Sequence, residues 1–167
     1  MLKSKSERAL LIVDMINDYA HESGGQYMAK TKDLIPYILG ELRYFRERMR
    51  PVFFCNDIVV PPHGVHPDEA LFRAEVVQEL SPRTGEGCLH KTRPNAFFKT
   101  DLAVSLSKLN VEQLTIVGVS FADSVLLTAA SALDNGIKVV VPETCVASDN
   151  ERDHQAAMRL LQLWQKR

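Results

Sequence analysis

Short, wholly apolar runs alternate along this chain with longer segments whose apolar residues recur at helical spacing. That alternation predicts the strands of a parallel sheet covered by helices. Residues 9–13 (ALLIV) are uninterruptedly apolar, as a strand buried on both faces requires. Residues 33–49 carry Leu34, Ile35, Ile38, Leu42 and Phe45 near helical spacing and stop before Pro51, which cannot continue a helix. Residues 52–55 predict a second strand. Residues 57–67 contain three prolines and two histidines and predict an irregular loop. A short helix is expected at 70–80, a weak third strand at 87–90, a helix at 102–109 and a fourth strand at 114–119. In the helix expected at 123–134, Ala129, Ala130 and Ala132 allow close packing, and Gly136 suits a left-handed cap at its end. A fifth strand at 137–141 and a helix at 151–164 follow. No repeat, low-complexity stretch or linker divides the chain, so residues 1–167 are expected to form a single α/β domain.

Composition narrows the partners. A content of 46% hydrophobic and 25% charged residues is that of an ordinary globular protein. The formal charge of -1 provides no broad basic field, so nucleic acid is not an expected partner. No apolar run approaches the ~20 residues that span a bilayer, so neither is a membrane. Residues 1–8 are short and charged, and the apolar run after them lacks a cleavage site, so it reads as a strand rather than a signal peptide. Three cysteines, Cys55, Cys88 and Cys145, are an odd number without C-x-x-C spacing. This argues against a disulfide framework or a cysteine zinc site and for a reducing, cytoplasmic compartment. Cys55 and Cys88 are expected to be buried apolar residues. Cys145 follows the fifth strand and is a weaker nucleophile candidate.

Candidate chemistry gathers at strand ends. In an open parallel sheet, ligands bind beyond the carboxyl ends of the strands, where strand order reverses. Asp14 ends the first strand in LLIVDMINDY, either as an acid or base or as a cap. Lys91 follows the third strand in CLHKTRPNAFFKTDL, either in the chemistry or as a solvated surface lysine. Ser124 follows the fourth strand in IVGVSFADSVLLTAASALDNG. It stands near a helix N-terminus, where free N–H groups can stabilise an anion, or it is simply an N-cap.

Three motifs connect these residues. The first strand runs into D-x-x-x-D-[FY], here Asp14, Asp18 and Tyr19. A lysine leads to an aromatic pair and T-x-L, here Lys91, Phe97, Phe98 and the run Thr100, Asp101, Leu102. A G-V pair leads to the nucleophile position and a T-A pair, here Gly118, Val119, Ser124, Val125, Thr128 and Ala129. With the looser match VVVPETCVAS, these segments resemble the isochorismatase-like, or nicotinamidase-like, cysteine hydrolase family over residues 8–160. The resemblance implies a Rossmann-like, three-layer α/β/α fold with an open parallel sheet of five strands, or six, in the order 3-2-1-4-5(-6). It implies an aspartate, lysine and cysteine triad whose positions are Asp14, Lys91 and, in place of the cysteine, Ser124. It also implies a non-proline cis peptide between Val119 and Ser120, in a turn whose N–H groups would face an oxyanion. Tyr19 and Phe97 would line a pocket for a flat substrate. The expected ligand is a small-molecule substrate, with no cofactor, and the expected assembly is a homodimer or higher homo-oligomer. An open fifth strand, IKVVV, favours such an assembly, because exposed edges are usually covered.

Four departures bear on function. A serine hydroxyl is much harder to deprotonate than a thiol of pKa ~8.5, so Ser124 needs a base in contact with it. Phe121 stands where the family usually has threonine and would narrow or reshape the pocket. The D-x-H metal motif of nicotinamidases proper is broken, since Ile58 and Val59 follow Asp57; His63 and His66 lie in the proline-rich loop, and no metal is assigned. The family's sixth strand usually follows the last helix, where this chain has only Gln165, Lys166 and Arg167. The leading expectation is hydrolysis of a small planar amide or related carbonyl compound. Ser124 would be either a substitution introduced to trap substrate or a natural, slower nucleophile. The alternatives are non-covalent hydrolysis of a vinyl ether, with the aspartate as general acid, and an inactive family member that serves as a binding or scaffold protein.

Overall fold

The computed structural model describes residues 7–21, 29–60 and 63–166. In chain order these contain β1 (Glu7–Val13), α1 (Asn17–Ala20), α2 (Ala29–Glu47), β2 (Val52–Asp57), α3 (Pro67–Ala74) and β3 (Gly87–Lys91). There follow α4 (Leu102–Lys108), β4 (Val111–Val119), α5 (Leu126–Asp134), β5 (Lys138–Val140), β6 (Val146–Ala147) and α6 (Glu151–Trp164). Of the sequence expectations, the charged segment 1–6, Pro61 and Pro62 of the loop, and Arg167 lie outside the described residues.

The uninterrupted apolar run is the centre of the sheet. β1 pairs in parallel with β2 on one side and β4 on the other, and the order is β3-β2-β1-β4-β5, as expected. Alternate residues of β1 feed two cores. Ala9, Leu11 and Val13 pack with α4, α5 and α6. Leu10 and Ile12 pack with Leu34, Ile38, Leu42 and Phe45 of α2. A sheet with an apolar layer on each face gives the three-layer architecture. Arg46 of α2 donates two hydrogen bonds, 2.7 and 2.8 Å, to the Glu86 carboxylate, which ties the edge strand β3 to that helix. Among the described residues, no helix is long and apolar enough to cross a membrane.

Several features differ from what the sequence predicts. The sixth strand does not follow the last helix: it is the two-residue β6, which pairs with β4 beyond the end of β5. The helix expected at 70–80 is α3 and a separate 3-10 turn, Gln78–Leu80. It starts early because Pro67 occupies its first turn and the His66 ring caps Asp68 N–H. It breaks because Val76 bridges Ile16 and the Val77 N–H donates to Met15 O. Cys88 is exposed rather than buried, whereas Cys55 and Cys145 are buried. β3 is an edge strand, and its alternate residues face outward.

Candidate active site

The carboxyl ends of β1, β2, β3 and β4 meet where the strand order reverses, and Asp14 is the first residue beyond β1. Its φ is 52°, a left-handed conformation that costs a residue with a Cβ about 1–2 kcal/mol. Its buried carboxylate accepts the Asp57 N–H at Oδ1 (2.7 Å) and contacts Lys91 Nζ at Oδ2 (2.6 Å). Asp57 and Lys91 are register partners on the neighbouring strands β2 and β3, so their side chains stand side by side. The Lys91 ammonium donates to Asp57 Oδ1 at 2.5 Å, and the Tyr19 hydroxyl donates to Asp57 Oδ2 at 2.8 Å.

Lys91 is 1% exposed, and an ammonium that deep is tolerated only when it is paired. Burial alone would lower its pKa; the Asp14 and Asp57 carboxylates outweigh that and hold it above the ordinary lysine value. Burial raises the Asp14 pKa to about 6, with Lys91 pulling down and the Asp57 charge pushing up. Asp14 is therefore ionised at neutral pH, yet a far better proton acceptor than a solvated aspartate. Burial and the bond to Asp57 keep the Tyr19 hydroxyl protonated well above its usual range.

The Ser124 side follows from the end of β4. Gly118 has a φ of 118°, and a Cβ there would lie 2.0 Å from Val13 O, so only glycine lets β4 run against the end of β1. The Val119–Ser120 peptide is cis. The chain then forms a π-helical turn, Phe121–Val125, before α5. Ser124 therefore sits inside a turn of widened helix whose N-cap is Ser120, so it is not an N-cap; turns of this kind recur at functional sites. Ala122 N–H donates to Ser148 Oγ at 3.1 Å, and the Phe121 ring meets His154 of α6 edge-on, with centroids 4.9 Å apart. The loop after Lys91 is anchored to α5, because Ala96 N–H donates to Thr128 Oγ1 and Asn95 Nδ2 to Ser131 Oγ.

These elements surround a pocket of about 560 Å³, whose lining includes Asp14, Tyr19, Asp57, Lys91, Ser120 and Ser124. Ser124 is 5% exposed, and its hydroxyl has no hydrogen-bond partner among the described residues. Arg93, Asp123 and Asp149 also face this space, and all three are exposed, which places them at its mouth. The structure thus brings five sequence candidates, Asp14, Lys91, Ser124, Ser120 and Tyr19, to one cavity. Two it does not. Phe121 is wholly buried in the core, and Phe97 packs against the same core and lines a separate cavity of about 380 Å³ with Val111 and Ile137. Both are drawn away because the apolar layer under α4 and α5 is the larger sink for an aromatic ring. Val119 is buried in the opposite apolar layer.

In the sequence Asp57 is only the remnant of a metal motif, and no motif marks Arg93, Asp123 or Asp149. The residues at hand do not fit a metal ion. The Asp57 carboxylate is committed to Lys91 and Tyr19, His66 pairs with Asp68, and among the described residues no group of three or more His, Cys, Asp and Glu side chains is arranged around a metal position.

Comparison with known proteins bears on the family and the fold. The family model described as Isochorismatase domain matches residues 8–165. An uncharacterized isochorismatase family protein, YaaI of Bacillus subtilis (strain 168), is 27% identical over 164 residues, covering 95% of this chain and 91% of that protein. Nicotinamidase 3 of Arabidopsis thaliana is 26% identical over 162 residues, covering 90% of this chain and 78% of that protein. Among solved structures, nicotinamidase/pyrazinamidase PncA from Bacillus subtilis superposes with a TM-score of 0.80 at 27% identity, covering 92% of this chain and 93% of that one.

Proposed function

The chain belongs to the isochorismatase family of hydrolases, and from that premise we propose that it hydrolyses a small amide or related carbonyl compound at the pocket shared by Asp14, Lys91 and Ser124. The observation that carries this reading is Asp14: a buried carboxylate, ionised at neutral pH with a pKa raised to about 6, in one pocket with a serine hydroxyl that has no hydrogen-bond partner among the described residues.

In this mechanism Asp14 takes the hydroxyl proton of Ser124 as Oγ bonds to the carbonyl carbon. The carbonyl π electrons move to oxygen. Backbone N–H groups of the turn at Ser120, together with the positive field of Lys91, stabilise that oxyanion. The tetrahedral intermediate collapses, the carbon–nitrogen bond breaks, and Asp14 returns the proton to the leaving amine. Water then attacks the acyl-serine and gives a proton to Asp14. On collapse the acid departs, and the serine oxygen recovers its proton from Asp14. Lys91, held protonated by its two carboxylates, also positions Asp14.

The test is ammonia release from a panel of small primary amides, with Asp14→Asn as the control. Release that is lost in the variant supports the reading, and release that survives at the same rate would remove Asp14 from the chemistry. The three free thiols of this chain suit a reducing cytoplasm. The short edge strand β5, with Val140 40% exposed, suits a homo-oligomer; sedimentation as a monomer alone at micromolar concentration would count against that assembly.

A further inference from the structure

Resting on the reading of this pocket as a site of carbonyl hydrolysis, we propose that its substrate is a small aliphatic carbonyl compound carrying a positive charge, held at the mouth by Asp123 and Asp149.

Three observations converge on this. The first is the charge of the lining. Four carboxylates, Asp14, Asp57, Asp123 and Asp149, face the cavity against two cations, Lys91 and Arg93. Lys91 is spent between Asp14 and Asp57. Asp123 and Asp149 have no salt-bridge partner among the described residues, and Arg93 offsets only one of them. Among the described residues, the lining carries two negative charges in excess, in a recess where field lines are concentrated. The second observation is independent of charge. Ser124 is only 5% exposed and lines the cavity, with no partner for its hydroxyl among the described residues, so a reacting carbon has a place next to the acidic mouth. The third is what the lining lacks. The rings expected to clasp a flat aromatic substrate, Phe97 and Phe121, are packed elsewhere, and Tyr19, the one ring lining the pocket among the described residues, has its hydroxyl already committed to Asp57. Apart from that ring, Ile58 and Pro94 supply the apolar lining. A polar cavity with uncompensated carboxylates selects a compact cation over an aromatic ring or an anion.

The protonation of Asp123 follows the same pattern. Partial burial raises its pKa, Lys91 opposes this, and the Asp57 and Asp149 carboxylates push it further up. A cation at the mouth would relieve that repulsion.

Matched probes separate charge from shape. Betaine amide and 3,3-dimethylbutanamide have the same outline, with a trimethylammonium group in one and a tert-butyl group in the other. Malonamate reverses the charge. Binding of each to the full chain is followed by NMR titration at low salt, and ammonia release is followed in parallel. Betaine amide should bind at least ~10-fold more tightly than its neutral twin, since two exposed carboxylates each contribute modestly, and malonamate should bind most weakly. The preference should shrink as salt is added. In the double variant Asp123→Asn, Asp149→Asn the ratio of cationic to neutral affinity should fall toward one. Equal binding of the twins, tighter binding of the neutral or anionic probe, or a ratio untouched by the double variant would overturn the proposal. The hydrolase reading is scored separately, by ammonia release: release from any probe sustains it whichever binds best, and no release from a probe that binds speaks against it.

Discussion

Replacing Lys91 with methionine keeps most of the side-chain volume and removes the charge. Nζ lies 2.6 Å from Asp14 Oδ2 and 2.5 Å from Asp57 Oδ1, on a side chain that is 0% exposed. Without it, two carboxylates share one site, and only the Tyr19 hydroxyl and the Asp57 N–H remain as donors. Removing one partner of a buried ion pair costs ~3–5 kcal/mol, because the remaining charge is left uncompensated. The cost depends on pH in a definite direction. Burial already raises the Asp14 pKa to about 6 against the pull of Lys91, and loss of Lys91 raises it further. A carboxyl group whose folded-state pKa lies above its unfolded value near ~3.9 contributes fully to stability below that unfolded value. The contribution is lost as pH rises toward the folded value. Between pH 7.5 and 5.5 the Lys91→Met variant should therefore regain up to ~1.4 kcal/mol per pH unit, ~3 kcal/mol in all. The wild-type chain, whose Asp14 takes its proton only near pH 6, should regain less than ~1 kcal/mol from this group over the same interval. Urea unfolding followed by circular dichroism at both pH values measures this directly. A destabilisation below ~1 kcal/mol at pH 7.5, or one of equal size at both pH values, would refute the buried-pair account.

Other changes test the reacting groups and the frame that holds them. Ser124→Cys should raise hydrolysis of a true substrate by at least ~10², because a thiol is far more readily deprotonated than a hydroxyl; adding Asp14→Asn should remove the gain, and resistance of that cysteine to iodoacetamide at neutral pH would argue against a nucleophile position. The wild-type pH profile of kcat/KM should rise with an apparent pKa near 6, since the base works only when ionised. Asp57→Asn removes a charge that raises Asp14, so this limb should move to lower pH, and an unmoved or raised limb would contradict the electrostatics. Gly118→Ala should destabilise by more than ~3 kcal/mol, because the new Cβ would stand 2.0 Å from the backbone oxygen of Val13; unfolding within ~1 kcal/mol of wild type would show that β4 can shift.

Strong periodicity made part of the fold legible. The last helix was expected at 151–164 and is Glu151–Trp164, because its amphipathic pattern has a clean N-cap in Asn150 and little tertiary competition. β1 and β4 were legible because strands buried on both faces cannot hide their composition. β2 was read two residues short: Asn56 and Asp57 are polar, but their backbone stays in the ladder with His90 and Lys91. β6 was not legible at all. Two residues carry no period, and only the pairing of Val146 with Gly118 and of Ala147 with Val119 makes them a strand. The π-helical turn at Ser124 looks in sequence like an ordinary helix start, since its residues carry no mark of the widened turn.

The site was legible as three separate motifs, and its missing member, Asp57, explains why motifs were insufficient. In sequence, Asp57 followed by Ile58 and Val59 looks like a metal motif that has lost its imidazole. In the fold, the parallel register sets it beside Lys91, and its carboxylate takes up the lysine and the Tyr19 hydroxyl. The consequence reaches Asp14. A lysine shared between two carboxylates stabilises the Asp14 anion less than a lysine it holds alone, and the Asp57 charge itself opposes ionisation of Asp14. Both effects make Asp14 a stronger base. A serine nucleophile needs this more than a cysteine does, since its proton must be taken in the transition state rather than given up beforehand. On the proposed reading of Ser124 as the nucleophile, the broken metal motif and the serine at position 124 fit one electrostatic arrangement, in which a second carboxylate on Lys91 raises the basicity that a hydroxyl demands.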